Sequence, residues 1–152
     1  MKIATVFALL FLVPLHAADP TTPILWTARQ LADVEAKVRA SVDPAGHLGL
    51  ERLLDSATFI YRDGPSEAEA HQKLADFISI RSGAGEIVIG GTMVNPRQSA
   101  PDELRGPSMT GGTRYTFTAG DALYVPANTV HQFSVKPGGN FTVTIVKITP
   151  KP

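Results

Sequence analysis

The amino-acid sequence predicts one all-β domain with a helix at its N-terminal end. A length of 152 residues suits a single domain, and 43% hydrophobic against 18% charged residues provides a sizeable core and excludes disorder. From Ser56 onward, short runs alternate apolar and polar residues and are separated by Gly, Pro or Asn, which is the pattern of half-buried strands. Residues 27–42 instead place their apolar side chains at helical spacing.

The first 18 residues are predicted to be a signal peptide. Lys2 gives the start a positive charge, the apolar run Ile3–Leu15 follows, and the small residues Ala17 and Ala18 provide a cleavage site. The apolar run is too short to span a bilayer comfortably, although a retained N-terminal anchor is the alternative. We therefore expect a secreted or periplasmic protein that has no membrane contact after cleavage.

The segment 19–55 is predicted to be an N-terminal helical extension. Thr27 can cap a helix, and Gln30 three positions later completes a capping box. The apolar residues that follow at helical spacing are Leu31, Val34, Val38 and Val42. A short helical turn is predicted at Leu48–Leu54.

The segment 56–149 is predicted to be an antiparallel sandwich or barrel, because many short strands follow one another closely. The predicted strands are Thr58–Arg62, Glu67–His71, Asp76–Arg81, Glu86–Ile89, Thr92–Asn95, Arg114–Phe117, Ala122–Val125, Gln132–Val135 and Phe141–Ile148. We expect Gly83-Ala84-Gly85 to turn a hairpin. The stretch Pro96–Gly112 is predicted to be a long irregular loop that forms a lid or rim.

Charge and cysteine content exclude several classes of function. The chain has 14 Lys and Arg residues and 14 Asp and Glu residues, so its formal net charge is zero. A surface for nucleic acid or for an acidic membrane would need a basic excess. There are no cysteines, which excludes disulfides, thiolate zinc sites and cysteine nucleophiles.

A motif that carries chemistry lies in the second half of the chain, where Gly120–His131 has the pattern G-x5-P-x-N-x2-H. Gly120 and Asp121 make a tight turn, a strand follows and ends at Pro126, and Asn128 accepts a left-handed backbone. This pattern resembles the second conserved motif of the cupin superfamily.

The first cupin motif is matched less fully. His71 corresponds to its second histidine, and Asp76 corresponds to its glutamate, with six residues between it and the closing Gly83. Glu69 stands where the first histidine is usual. Over residues 56–149 the chain therefore resembles small single-domain bacterial cupins of the type-2 conserved-barrel kind.

The resemblance implies a cupin-like jelly-roll β-barrel with a divalent transition metal (Fe, Mn, Ni or Zn) inside it. The implied ligands are His71, His131, Asp76 and Glu69, with Glu69 either a fourth ligand or a catalytic base. Two imidazoles and one or two carboxylates suit these metals. Glu69 and His71 are two residues apart on a predicted strand, so they face the same way.

Departures from the motif leave an alternative open. Glu69 adds negative charge, and Asp76 is shorter than glutamate. Lys73, two residues after His71, is expected on the same face, where its charge would weaken metal binding or pair with a carboxylate. The alternative is a metal-free barrel that binds a small molecule or is purely structural, without catalysis. Whether the protein is an enzyme stays open.

Three residues are candidates for a substrate pocket: Lys73, Arg105 and Tyr124. An arginine could clamp the carboxylate of an entering small-molecule ligand, whereas a rim salt bridge such as Glu103 with Arg105 is the simpler interpretation. Tyr124 could line the cavity, although a strand tyrosine usually packs. The family resemblance also implies a homodimer.

Overall fold

The computed structural model describes residues 20–151, so the predicted signal peptide lies outside the described residues. Helix α1 spans Ala28–Ala40. Twelve strands follow: β1 Leu48–Arg52, β2 Ala57–Arg62, β3 Ala68–His71, β4 Ala75–Ile89, β5 Thr92–Val94, β6 Arg97–Ala100, β7 Glu103–Gly106, β8 Ser108–Thr110, β9 Thr113–Thr118, β10 Ala122–Val125, β11 His131–Ser134 and β12 Phe141–Ile148. Within the described residues, no helix is long and apolar enough to cross a membrane.

Helix α1 packs against the outer face of the first strands. The predicted capping box between Thr27 and Gln30 is confirmed, and Val38 is fully buried against Phe59 and Tyr61 of β2. The helical turn predicted at Leu48–Leu54 is wrong, because the first five of these residues form β1, antiparallel to β2. A Cβ atom at Gly49 would lie 1.8 Å from the Val38 carbonyl oxygen, so glycine lets the helix approach this strand.

Strand β4 connects the two faces of the barrel. Its first part pairs with β10 and β12, and its second part pairs with β9 and β11. The hairpin predicted at Gly83-Ala84-Gly85 is therefore wrong, since these residues lie within one strand of 15 residues. Gly83 has a φ of 75°, and the pairing with β12 shifts register nearby, which lets the strand bend from one face to the other.

The stretch Pro96–Gly112 is ordered structure and not the predicted irregular loop. It contains β6, β7 and β8, and β7 lies beside β3 with Arg105 directly opposite Glu69. Strand β6 continues the sheet, while β8 pairs with β5 as a separate two-stranded sheet. This stretch therefore places the side chains of β7 next to those of β3.

Ten of the twelve described strands form one curled antiparallel sheet around an apolar interior. Its order is β1-β2-β12-β4-β11-β3-β7-β6, and both β9 and β10 pair with β4. The buried interior residues are Ile78, Ile80, Ile87, Phe117, Val125, Phe133, Phe141, Val143 and Ile145. The described architecture is thus a barrel-like all-β domain with one N-terminal helix, as predicted.

Candidate metal centre

Three strands bring Glu69, His71, Asp76 and His131 together. In β3, Ala68 and Ala70 pack against the small β5–β8 sheet, so the alternate residues Glu69 and His71 face the barrel interior. Asp76 lies near the start of β4, and His131 begins β11 directly opposite Glu69.

Ligand atoms from these four residues converge. His71 Nε2 lies 3.3 Å from Asp76 Oδ2, and His131 Nε2 lies 3.3 Å from Glu69 Oε1 and 3.7 Å from Asp76 Oδ2. One ligand atom each from Glu69, His71 and His131 can be chosen so that all lie within 4.8 Å of one another. The group is buried, with Asp76 and His131 only 1% exposed.

Hydrogen bonding fixes the tautomer of His131. Its Nδ1 lies 3.1 Å from the Thr129 carbonyl oxygen, which can only accept a hydrogen bond, so Nδ1 carries the hydrogen. In the neutral ring, Nε2 then presents its lone pair to the centre of the group. A backbone carbonyl behind a ligating histidine is the usual arrangement in metal sites.

Each carboxylate divides its two oxygens between the group and a cation outside it. Glu69 Oε2 lies 2.8 Å from Arg105 Nη2, which leaves Oε1 facing His131. Asp76 Oδ1 lies 2.6 Å from Lys147 Nζ, which leaves Oδ2 facing the two histidines. The two cations therefore favour one inward oxygen from each carboxylate.

The electrostatics of Glu69 and His131 follow from this packing. Burial raises the pKa of the Glu69 carboxyl, but His131, Arg105 and His71 outweigh it and hold that pKa well below its usual range. Burial lowers the pKa of His131, but Glu69, the Thr129 carbonyl and Asp76 together raise it above its ordinary value. Glu69 is therefore an anion at neutral pH, and a metal and a proton compete for His131 Nε2.

The donor atoms fit a transition metal. In the described part of the chain, Asp76 Oδ1, Asp76 Oδ2 and His131 Nε2 are buried and have no partner with hydrogen-bond geometry, although Lys147 forms a close ion pair with Oδ1. Ligands about 2.1 Å from a metal are about 3.0–3.4 Å apart when adjacent. The 3.3 Å separations match this spacing, and two imidazoles with carboxylates form a suitable donor set.

Of the three residues predicted to line a substrate pocket, only Arg105 contacts one of the candidate ligands. Arg105 joins the group through Glu69 and also contacts Glu103, with Nη2 to Oε1 at 2.7 Å. Lys73 is not part of it, because its side chain is exposed and pairs with Asp102 at 3.0 Å. Tyr124 is 53% exposed and is likewise not part of the group.

The contacts that Glu103 and Lys147 make with the candidate ligands were not predicted from the sequence. Glu103 Oε2 lies 3.9 Å from His71 Nδ1, and Lys147 contacts Asp76. The inward position of Lys147 could have been predicted, since Lys147 continues the alternation of the inward residues Val143 and Ile145 on β12. Glu103 was expected only as a salt-bridge partner of Arg105, a contact that is present, and its position beside His71 had no signal because its strand was predicted to be a loop.

A cavity of about 340 Å³ lies elsewhere, and no ligand candidate lines it. Its lining residues are Ala84, Gly85, Glu86, Thr116, Phe117, Thr118, Lys136, Gly139 and Asn140. The candidate metal centre is therefore defined by its converging donor atoms and not by this cavity.

Comparison with known proteins supports the fold. No protein-family model and no curated protein matches the chain. A putative sugar phosphate isomerase from Acidithiobacillus ferrooxidans is 13% identical, with 81% of this chain and 73% of that chain covered and a TM-score of 0.53. A Cupin 2 conserved barrel domain protein from Salinispora arenicola is 19% identical, with 72% and 82% covered and a TM-score of 0.47.

The polyketide cyclase RemF from Streptomyces resistomycificus is 17% identical, with 62% of this chain covered and a TM-score of 0.43. The matched region spans only 56% of the length of RemF. Identities this low establish the fold alone. The chain has a cupin-like β-barrel fold with an N-terminal helix, and it shares this fold with the putative sugar phosphate isomerase.

Proposed function

We propose that this chain is a metal-binding cupin that holds a divalent transition metal on His71, His131, Glu69 and Asp76 and acts on a small oxygenated molecule. The proposal includes export, supported by the pattern of residues 1–18. Fe, Mn, Ni and Zn all suit the donor set.

The observation that carries this proposal is the division of the carboxylate oxygens. Glu69 and Asp76 each direct one oxygen at the histidine pair and bind a cation with the other. Neutral His131 directs the lone pair of its Nε2 at the space that the two inward oxygens face, so these atoms repel one another unless a metal or a proton lies between them. A cation between the four donors satisfies all of them.

The residues have separate tasks in this proposal. His71 and His131 supply neutral nitrogen ligands, and Thr129 keeps the His131 ring in the ligating tautomer. Glu69 is better suited to be a ligand than a catalytic base, because Arg105 occupies its second oxygen. When bound, the metal would act as a Lewis acid toward a carbonyl, enediol or hydroxyl oxygen of the substrate.

A metal-free barrel is the second candidate, and one observation favours it. Both inward carboxylates already have cationic partners, and a protonated His131 would add a further charge-assisted contact to Glu69. Such an interior would be stable without a metal and would serve binding or structure alone. The two candidates differ in metal content.

Elemental analysis of the protein, produced without a His-tag and with its N-terminal segment intact, tests the proposal. We expect close to one equivalent of a transition metal. His131→Ala and His71→Ala should each reduce metal affinity by about 100-fold or more, because each removes a ligand. His47→Ala is the matched control, since His47 is a half-exposed histidine paired with Asp63.

Full metal content in either ligand variant would refute the site assignment. Absence of metal from the wild type, even after incubation with Fe(II), Mn(II), Ni(II) and Zn(II), would favour the metal-free candidate. In that case a bound small molecule, and not a reaction, would be the next thing to identify.

A further inference from the structure

A buried arginine faces the same interior as the candidate metal centre without a carboxylate partner. Arg62, at the end of β2, is 7% exposed. In the described residues no carboxylate oxygen lies within 4.0 Å of its guanidinium, and the hydrogen bond of its side chain is a long one, 3.5 Å from Nη1 to the Gly46 carbonyl oxygen. A buried guanidinium normally has an anionic partner.

Strand geometry places this side chain in the barrel interior. Along β2, Phe59 and Tyr61 face helix α1, whereas Ile60 packs against the interior core. Arg62 is two residues after Ile60 and shares its face. It is also directly opposite the buried Phe141 of β12, which belongs to the interior core.

Arg62 is close enough to the charged group to interact with it electrostatically. Burial lowers the pKa of the Arg62 guanidinium most, Glu69 raises it and Arg105 lowers it. Arg105 is committed to Glu69 and Glu103, with contacts of 2.8 and 2.7 Å. Arg62 is therefore the cation that can take a new partner.

The charge balance of the four candidate ligands and the charged residues around them indicates what that partner is. The carboxylates of this charged cluster are Glu69, Asp76 and Glu103, and its cations are Arg62, Arg105 and Lys147. These charges cancel when the histidines are neutral and no metal is bound. A divalent metal leaves a surplus of positive charge in a buried space, which an anionic ligand would neutralise.

We propose that Arg62 binds the carboxylate of a small organic acid whose other polar end faces the metal centre. A planar guanidinium suits a carboxylate because it can donate two parallel hydrogen bonds. The inference rests on the proposed metal function, since only the metal-loaded group has surplus positive charge. It adds a substrate class that the four ligands alone do not specify.

Calorimetric titration of the full chain, with its metal content measured on the same sample, tests this. The probes are acetate, malonate and succinate, each paired with its neutral amide: acetamide, malonamide and succinamide. For the metal-loaded wild type we expect at least one acid to bind about tenfold or more tightly than its amide. Metal-free protein should lose most of this preference.

Arg62→Gln should weaken the best acid by about tenfold and leave its amide and the metal content unchanged. Arg62→Lys, which keeps the charge but not the planar fork, should lose about threefold and serves as the test if the glutamine variant does not fold. Arg52→Gln is the matched control, because Arg52 is exposed on the neighbouring strand β1.

Several results would overturn the inference while leaving the metal function intact. These are equal affinity for acids and amides, no binding of any probe by the metal-loaded wild type, and unchanged acid affinity in both Arg62 variants. Loss of metal from Arg62→Gln would assign Arg62 to the support of the metal group instead. A wild type that never binds metal refutes the proposed function itself, and the metal assay distinguishes that case.

Discussion

Two regions of the barrel interior differ in chemistry although the same strands build both. Strand β4 carries Asp76 in the charged group and Ile78 in the apolar core, and β11 carries His131 and then Phe133. The ring centroids of His131 and Phe133 are 6.3 Å apart, so the two regions are in contact. A shift of two residues along a strand therefore changes the interior from ion pairs to packed rings.

This difference indicates that the apolar region stabilises the fold and that the charged region is the one suited to bind a metal. The apolar region buries complete side chains and contains three phenylalanine rings whose centroids are 5.1 to 6.1 Å apart. The charged region buries carboxylates and imidazoles, whose desolvation opposes folding unless partners compensate it. Stability should thus respond mainly to changes in the first region, and metal affinity to changes in the second.

The largest expected effect on stability comes from Phe133→Ala. Phe133 is 2% exposed and packs against Phe117 and Phe141, so its truncation leaves a cavity in the apolar region. We expect the free energy of unfolding to fall by about 3–5 kcal/mol, measured by urea denaturation. Phe133→Leu should cost less, about 1–2 kcal/mol, because it fills most of the space.

Any folded Phe133→Ala protein should still bind metal, because the phenyl ring holds no ligand. A loss below about 1 kcal/mol would contradict the assignment of stability to this region. A large loss of metal affinity in a protein that remains folded would show that the two regions are coupled through the contact between Phe133 and His131.

Much of this architecture could be predicted because it depends on local patterns. The capping box at Thr27 determines where α1 starts, and the strand Ala122–Val125 has the same bounds in sequence and structure. Asn128 adopts a left-handed φ of 58°, as the turn before His131 requires. These features depend on neighbours in sequence and not on distant contacts.

The errors occur where distant contacts decide the local structure. Gly83 and Gly85 favour a turn by composition, yet Gly85 faces the rings of Phe117 and Phe141 inside a continuous strand. The segment Leu48–Leu54 has no periodicity that excludes a helical turn, and its pairing with β2 makes it a strand. Arg105 was named as a pocket candidate, but its register opposite Glu69 depends on β7, which was not predicted.

The next largest effect should arise at the two cations behind the carboxylates. Arg105→Gln or Lys147→Gln frees the outer oxygen of Glu69 or Asp76, so the carboxylate can rotate away from the donor position. We expect metal affinity to fall by about tenfold in each variant, measured by competition with a chelator. Lys73→Gln is the matched control, because Lys73 pairs with Asp102 at the surface and should leave affinity unchanged.

Whether metal affinity rises or falls in these variants tests whether the charged region is built to bind a metal. Tighter metal binding in Arg105→Gln and Lys147→Gln would mean that these cations compete with the metal and do not orient its ligands. That result would favour an interior whose charges evolved to balance one another without a metal. Weaker metal binding would support the view that Arg105 and Lys147 hold Glu69 and Asp76 with one oxygen of each facing the metal.

The smallest effect is expected outside both regions, where Glu35 of helix α1 joins the helix to the barrel. Glu35 accepts hydrogen bonds from Ser82 of β4, from Thr142 of β12 at 3.1 Å and from Arg39 at 2.9 Å. Burial raises the pKa of the Glu35 carboxyl, but these donors outweigh it and hold the pKa below its ordinary value near 4.5. Because the folded pKa is below the unfolded one, ionised Glu35 stabilises the fold above pH 4.5, and this contribution fades as pH falls through the folded pKa.

Glu35→Gln should therefore cost about 1 kcal/mol of unfolding free energy at pH 7 and progressively less below about pH 4.5, measured by urea denaturation at several pH values. Glu51→Gln is the control, since Glu51 makes an ion pair with the exposed Lys37 at the surface. A Glu35→Gln cost that stays constant from pH 7 to pH 3 would assign the contribution to packing and not to charge. Metal affinity should be unchanged in both variants, because neither residue contacts the candidate ligands. A change in metal affinity would show that helix α1 and the metal centre are coupled.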